Sequence, residues 1–254
     1  MPNAVVDRPL AQRYGRRALA VFTAAERQRF LQPNGEAVDA EQLPWELLYR
    51  IEPALYDRLI AGERLHSSIL DWLPARCGRV VEVGAGSGRL TLALAPRCEH
   101  VAAVEPAAPL RQMLQERIDV AGYTHVDVVP GFFDDLPVAP GSSDLVISCS
   151  AFSPRSLRHP DLCLDAMAGC CAAGGLLVLV WPNDVAWLQE RGFERVVFDG
   201  EMAVEFGSVK EAVELARVFY PHAVEEIARL GSTQVDYSVL GMNPPRDLCW
   251  RRCP

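Results

Sequence analysis

The stretch that decides the fold runs from Gly78 to Pro106 and reads GRVVEVGAGSGRLTLALAPRCEHVAAVEP. Val80, Val81 and Val83 are a β-branched run suited to a buried strand, and the run stops at the glycines Gly84, Gly86 and Gly88. Leu90, Leu92, Ala93, Leu94 and Ala95 are helix formers, so the glycines sit in a strand-to-helix turn. Such a turn lets backbone N–H groups and the positive end of the next helix approach a ligand with no Cβ in the way. Val101 to Val104 is a second buried strand, and it ends in Glu105. In an open parallel sheet an acid at the tip of the second strand stands beside the first turn and accepts hydrogen bonds from a ribose diol. The stretch reads as a nucleoside-binding crevice.

Spacing selects the nucleoside. The dinucleotide fingerprint is GxGxxG, whereas the glycines of GAGSG fall at positions one, three and five, with Glu82 two residues before the first. This arrangement resembles motif I of the class I S-adenosylmethionine-dependent methyltransferases, (D/E)xGxGxG. The resemblance continues through Glu105, through GFFDDLP (Gly131 to Pro137), through SSDLVIS (Ser142 to Ser148) and through AAGGLLVLV (Ala172 to Val180), in the family's order over roughly residues 75 to 182. It implies an α/β, Rossmann-like fold: a mainly parallel seven-stranded sheet with helices on both faces. It also implies an N-terminal helical cap or lid over residues 1–74 and a cofactor-binding domain over 75–254. The implied cofactor is S-adenosyl-L-methionine. Its methionine part would rest near Glu82, Gly84, Ala85, Gly86 and Gly88, with Glu105 and Pro106 at the ribose. Phe133 and Asp134 would lie at the adenine, or Phe132 and Phe133 would wall the ring, and Cys149 would lie, with Ser150 and Phe152, at the sulfonium, Phe152 reading equally as core. Two alternatives stay open. Glu105 also reads as a helix-capping acid before Pro106, and the acid that family members often carry directly after the glycine of the GDAxDLP-like segment is here Phe132.

With 254 residues the chain can bury one substantial core with elaborations. It has 25 Lys and Arg against 33 Asp and Glu, a net charge of −8. That balance repels phosphate backbones and anionic bilayers, and no long basic run offsets it, so neither nucleic acid nor membrane is an expected partner. Eight cysteines lack both a CxxC zinc spacing and a secretory leader, which favours reduced thiols in a cytoplasmic protein and no metal. A small-molecule substrate and a monomer or homodimer are expected.

Pro9 to Phe30 and Pro44 to Trp72 read as helical, with the loop QPNGEA (Gln32 to Ala37) between them. Tyr14, Arg16 and Arg17 are candidate lid contacts. After Val104 the pattern predicts a helix over Ala107 to Ala121, then strands at Val126 to Val129, Asp144 to Ser148 and Leu176 to Trp181. A helix is expected over Leu162 to Ala173, capped by Gly174 and Gly175. Asp199 and Gly200 suggest a hairpin turn within Val196 to Phe206. A helix over Val209 to Leu230 should break at Pro221, and Val235 to Leu240 reads as a strand before a Pro-rich tail.

Methyl transfer from a sulfonium is an in-line displacement, so the protein chiefly holds the reactants in line and excludes water. A hydroxyl nucleophile also needs a base. The loop SCSAFSPRSLRHP (Ser148 to Pro160) lies where ligands bind in this fold and lacks the (N/D)PP(Y/F) tetrad of base-methylating enzymes. It carries the first candidate base, His159, beside Arg155 and Arg158; His66 is the second. The reading is a methyltransferase acting on O, N or C of a metabolite. The alternatives are a cyclase, decarboxylase or dehydratase on the same scaffold and, less favoured by GxGxG and the lack of a Tyr-xxx-Lys pair, an NAD(P)-linked oxidoreductase.

Overall fold

The computed structural model describes residue 10 and residues 12–254. The β1 strand (Cys77–Val83) leads through the glycine turn to the short helix Thr91–Leu94. The strand β2 (Cys98–Val104), the helix Ala108–Ala121 and β3 (Val126–Val129) follow. Next come β4 (Ser143–Cys149), the helix Pro160–Cys170, β5 (Cys171–Val180), the helix Val185–Gln189 and β6 (Glu194–Val197). Then β7 (Ala203–Glu205) and β8 (Gln234–Asp236) pair with each other, and β9 (Asp247–Arg252) closes the order.

Seven of these strands form one sheet, ordered β3-β2-β1-β4-β5-β9-β6. The pairs from β3 to β5 are parallel, while β9 runs antiparallel to both β5 and β6. Buried on both faces, the parallel strands read as continuous apolar runs whose successive residues part to opposite sides. Val80, Leu145, Ile147, Val178 and Val180 pack with Ile69, Leu94, Leu114 and Ile118 of the helices on one face. Val81, Val146, Leu177 and Leu179 pack with Leu164, Met167 and Leu188 of those on the other. The sheet order reverses between β1 and β4, and the carboxyl ends of those two strands flank the crevice where ligands bind in such sheets.

The chain divides into two compact units, Met1–Arg64 with Glu201–Pro244, and Leu65–Gly200 with Pro245–Pro254. The expected division at residue 74 differs from this: the helix Ser67–Trp72 packs on the sheet, and residues 201–244 group with the N-terminal ones. The sheet unit is the one just described. In the other, the helices Gln42–Ile51, Pro53–Gly62 and Val209–Phe219 bury Leu47, Leu48, Leu59, Leu215 and Phe219, with Trp45 stacked on Phe219 at 5.9 Å. Arg50 is paired there with Glu26 and Glu46, both at 2.6 Å, and lies over the rings of Phe22 and Phe30.

Several expectations are corrected. Pro9, the start of the first expected helix, lies outside the described residues. Beyond it the segment forms a 3-10 turn, Arg16–Val21, and a helix, Ala24–Phe30, opened by a capping box on Thr23. Gly174 and Gly175 cap no helix. The helix ends at Cys170, and the glycines lie in β5, where Gly174 N–H donates to the Cys253 carbonyl and Cys253 N–H to that of Gly175, both at 2.9 Å. Pairing with the chain's last residues therefore outweighs the local preference of two glycines. Asp199 and Gly200 form no hairpin, because β6 pairs with β9 and β7 with β8. The Pro-rich tail ends in β9. The break at Pro221 is present: the helix Val209–Phe219 gives way to a 3-10 turn and then to Val224–Leu230.

Candidate functional site

Gly84 and Gly86 have φ of +77° and +57°, a left-handed conformation that side chains disfavour, so the chain can leave β1 and turn at once into the helix. Gly84 and Ala85 both donate N–H to the Val104 carbonyl, at 2.9 and 3.0 Å, which binds the turn to the tip of β2. A Cβ on Gly84 would stand 2.5 Å from that of Ala151, beyond β4, and 3.6 Å from Phe133. The turn thus meets the β4 loop across the sheet's reversal point.

Glu105 is buried, and its carboxylate joins two segments. One oxygen accepts Gly86 N–H at 2.9 Å and the other accepts Ala107 N–H at 2.8 Å, next to the start of the helix Ala108–Ala121. The acid thus stands beside the glycine turn, and its bond to Ala107 N–H falls on the residue before the helix, whose own end has no side-chain cap bond. Arg111 donates to the carbonyls of Glu105 and Pro106, at 2.8 and 2.7 Å, and fixes the backbone of the strand tip. Glu82 is 1% exposed and accepts Thr91 Oγ1 at 2.5 Å. Burial pushes its carboxyl up to about 8, against the Thr91 bond and the Arg89 charge, which favour the ionised form; Glu105 adds to the rise.

The other expected residues divide. Phe133 is half-buried and meets Phe152 edge-on at 5.4 Å, forming an aromatic wall beside the glycine turn. Asp134 is exposed. Cys149 is buried at the end of β4 and lies 3.5 Å from Arg89 Nη2. His159 is exposed at the start of the helix Pro160–Cys170, where its backbone carbonyl takes the first helical bond and its ring caps nothing. Arg155 is tied to Asp184 at 3.2 Å. His66 has a structural position: Nδ1 accepts Ser68 N–H at 3.2 Å, Nε2 lies 3.1 Å from the Asp199 carbonyl, and the ring stacks on Phe198. Both ring nitrogens thus have partners within the protein. Tyr14 donates to Glu52 at 2.8 Å.

Thr91, Arg89 and Trp181 escaped the sequence reading. Position is their signal: Arg89 and Thr91 follow the third glycine closely, and Trp181 comes directly after β5 at the sheet's carboxyl edge. Among the described residues no group of acids, cysteines and histidines could hold a metal, and no helix is long and apolar enough to cross a membrane.

A family model described as a methyltransferase domain matches residues 81–179. An uncharacterised methyltransferase of Bacillus licheniformis is 31% identical over 175 residues, covering 65% of this chain and 78% of that protein. The chain belongs to the class I S-adenosylmethionine-dependent methyltransferases. An uncharacterised methyltransferase of Anoxybacillus flavithermus is 26% identical over 156 residues, covering 61% of this methyltransferase and 68% of that one. One from Mycobacterium tuberculosis H37Rv is 30% identical over 136 residues, and the match spans 52% of each chain. Among solved structures, a putative methyltransferase of Bacillus halodurans matches with a TM-score of 0.51 at 17% identity, covering 74% of this chain and 98% of that one. The [4+2]-cyclase SpnF matches at 0.53 and 14%, covering 83% and 96%. These two likenesses show the fold.

Proposed function

We propose that this enzyme transfers a methyl group from S-adenosyl-L-methionine to an O, N or C nucleophile of a small-molecule metabolite, as a cytoplasmic monomer or homodimer. The observation that carries the reading is the buried Glu105 carboxylate at the tip of β2, held 2.9 Å from Gly86 N–H of the GAGSG turn. An acid in that position suits a ribose diol, and the left-handed glycines leave backbone uncovered beside it. The residues present fit the cofactor: Glu82 and the turn from Gly84 to Gly88 for the amino-acid part, Glu105 and Pro106 for the ribose, Phe133 and Asp134 for the adenine, and Cys149 for the sulfonium end. The cofactor, when bound, supplies an electrophilic methyl carbon on sulfur. The protein's part is to align an acceptor with it and to keep water out, with the Phe133 and Phe152 rings as one wall. Where the acceptor is a hydroxyl, His159 is our nominee to take its proton.

Calorimetric titration tests the cofactor: S-adenosylhomocysteine should bind and NADH should not, and the reverse order would overturn the assignment. Incubation with labelled S-adenosylmethionine and a metabolite extract then tests the chemistry. The likeness to a [4+2]-cyclase keeps a non-methylating reaction as the second reading. Label retained on the cofactor throughout would favour it.

A further inference from the structure

Two cysteines open adjacent strands. Cys77 begins β1, Cys98 begins β2, and the parallel register sets them opposite each other. Residues so placed stand about 4.8 Å apart with their side chains on one face of the sheet, within the roughly 4.4–6.8 Å between Cα atoms that a disulfide spans. The packing agrees. Cys77 is buried in the cluster around Val80, Leu94 and Val101, and Cys98 packs against that same cluster. Both are free thiols, hydrogen-bonded to each other. Cys98 is only half-buried, which leaves the pair within reach of a small oxidant.

The two sulfurs are unequal. Cys98 donates to Cys77 and so holds the Cys77 thiol below its ordinary range; burial works against this, the Arg97 guanidinium adds to it and the Asp144 carboxylate opposes it. The same bond raises the Cys98 thiol. Since the thiolate is the nucleophilic form of cysteine, Cys77 is the sulfur that reacts first, with its partner already in contact. Another close pair, Cys171 and Cys253, lacks these features: both residues are buried, and burial followed by the bond to Cys253 pushes the Cys171 thiol up. Cys77 and Cys98 also lie at the amino edge of the sheet, away from the glycine turn and Glu105 at its carboxyl edge.

We propose that Cys77 and Cys98 are an oxidation site, a dithiol that hydrogen peroxide converts reversibly to a disulfide bracing β1 against β2. The Cys77 sulfur attacks one peroxide oxygen, the O–O bond breaks, and the departing hydroxide leaves as water with the thiol proton, giving a sulfenic acid. The Cys98 sulfur then attacks that of Cys77, the S–O bond breaks, and the second hydroxide leaves as water with the Cys98 proton. Two thiols are oxidised to one disulfide and one peroxide is reduced to two waters. The new bond closes a ring from Gly78 to Arg97, the glycine turn included, and so restricts the unfolded chain.

The test treats the reduced full-length protein with hydrogen peroxide, alkylates it in denaturant and digests it with trypsin without reductant. The peptide 77–79 should be joined to 98–111 and released by dithiothreitol, while Cys171 and Cys253 carry the alkyl label. In Cys98→Ser the same treatment should leave a sulfenic acid on Cys77 that dimedone traps and that wild type does not accumulate. Oxidised wild type should melt about 5–10 °C above the reduced protein. Alkyl label on both Cys77 and Cys98 after peroxide, or Cys171 joined to Cys253 before them, would overturn the site. A melt no higher than that of the reduced protein would overturn the brace. Both readings come from wild type, so they decide the matter whether or not the variant folds.

Discussion

At the scale of single residues, the two acids of the turn separate by how their burial is compensated. Glu82 has an ordinary value of 4.5 and is raised to about 8 by desolvation. The folded chain therefore holds a proton that the unfolded chain has already released above about pH 4.5. The group's contribution to stability is whole below that point and is lost as pH rises towards 8, at about 1.4 kcal/mol per pH unit. Glu82→Gln, neutral at every pH, should flatten unfolding free energy between about pH 5 and 8 and be the more stable protein at the upper end. Denaturant titrations at several pH values measure this, and an unchanged slope would assign the pH dependence to other groups. Glu105 instead has both oxygens bonded to backbone N–H groups. Its loss strands two buried donors, each costing about 1–3 kcal/mol. Glu105→Ala should therefore unfold at lower denaturant than Glu105→Gln, which keeps one acceptor, and both should bind S-adenosylhomocysteine more weakly. Equal stability for the two variants would mean that water satisfies the donors.

At the scale of elements, Gly84 is the point where the β1 turn meets the β4 loop. Gly84→Ala combines a left-handed backbone, worth about 1–2 kcal/mol against a side chain, with a methyl 2.5 Å from Ala151 Cβ. Adding Ala151→Gly should recover the steric part and leave the backbone part. The cycle of single and double variants should then show a coupling of about 0.5–3 kcal/mol, and exact additivity would show that the two loops are not in contact. Elements of this kind were legible in the sequence because the information is local. The run Val80 to Val83, the glycine spacing and Glu105 give strand, turn and acid without reference to distant residues. Gly174, Gly175, Asp199 and Gly200 misled because their conformation is settled by partners far along the chain, Cys253 for the first pair and β9 for the strand before the second. The site followed the same division. Its glycines and acids could be read, whereas the place of Arg89 beside Cys149 and Trp181, and the structural use of both nitrogens of His66, exist only once the strands are assembled.

At the scale of the whole molecule, the sheet unit is interrupted by residues 201–244, which group with the other unit. The interruption begins and ends at neighbouring points: Phe198 N–H donates to the Arg246 carbonyl at 2.8 Å, and Arg246 reaches the Gly200 carbonyl at 3.3 Å. A variant beginning at Leu65, with Asp199 joined to Pro245 through Asn-Gly, would thus place a two-residue loop between positions that the β6–β9 register sets opposite each other. It should unfold in one cooperative thermal transition that S-adenosylhomocysteine raises, and a broad melt without that response would show that the sheet unit depends on the rest of the chain. The place of β9 has a consequence during synthesis. Arg195 of β6 bonds to Asp247 of β9, 52 residues further on. At about 5–20 residues per second, a ribosome takes roughly 3–10 s to cover that interval. For those seconds the nascent chain displays β5 with one edge open, and β6 waits with no strand to join. The seam that closes last is also the one on which a chaperone, or a second unfinished chain, could lay a strand of its own.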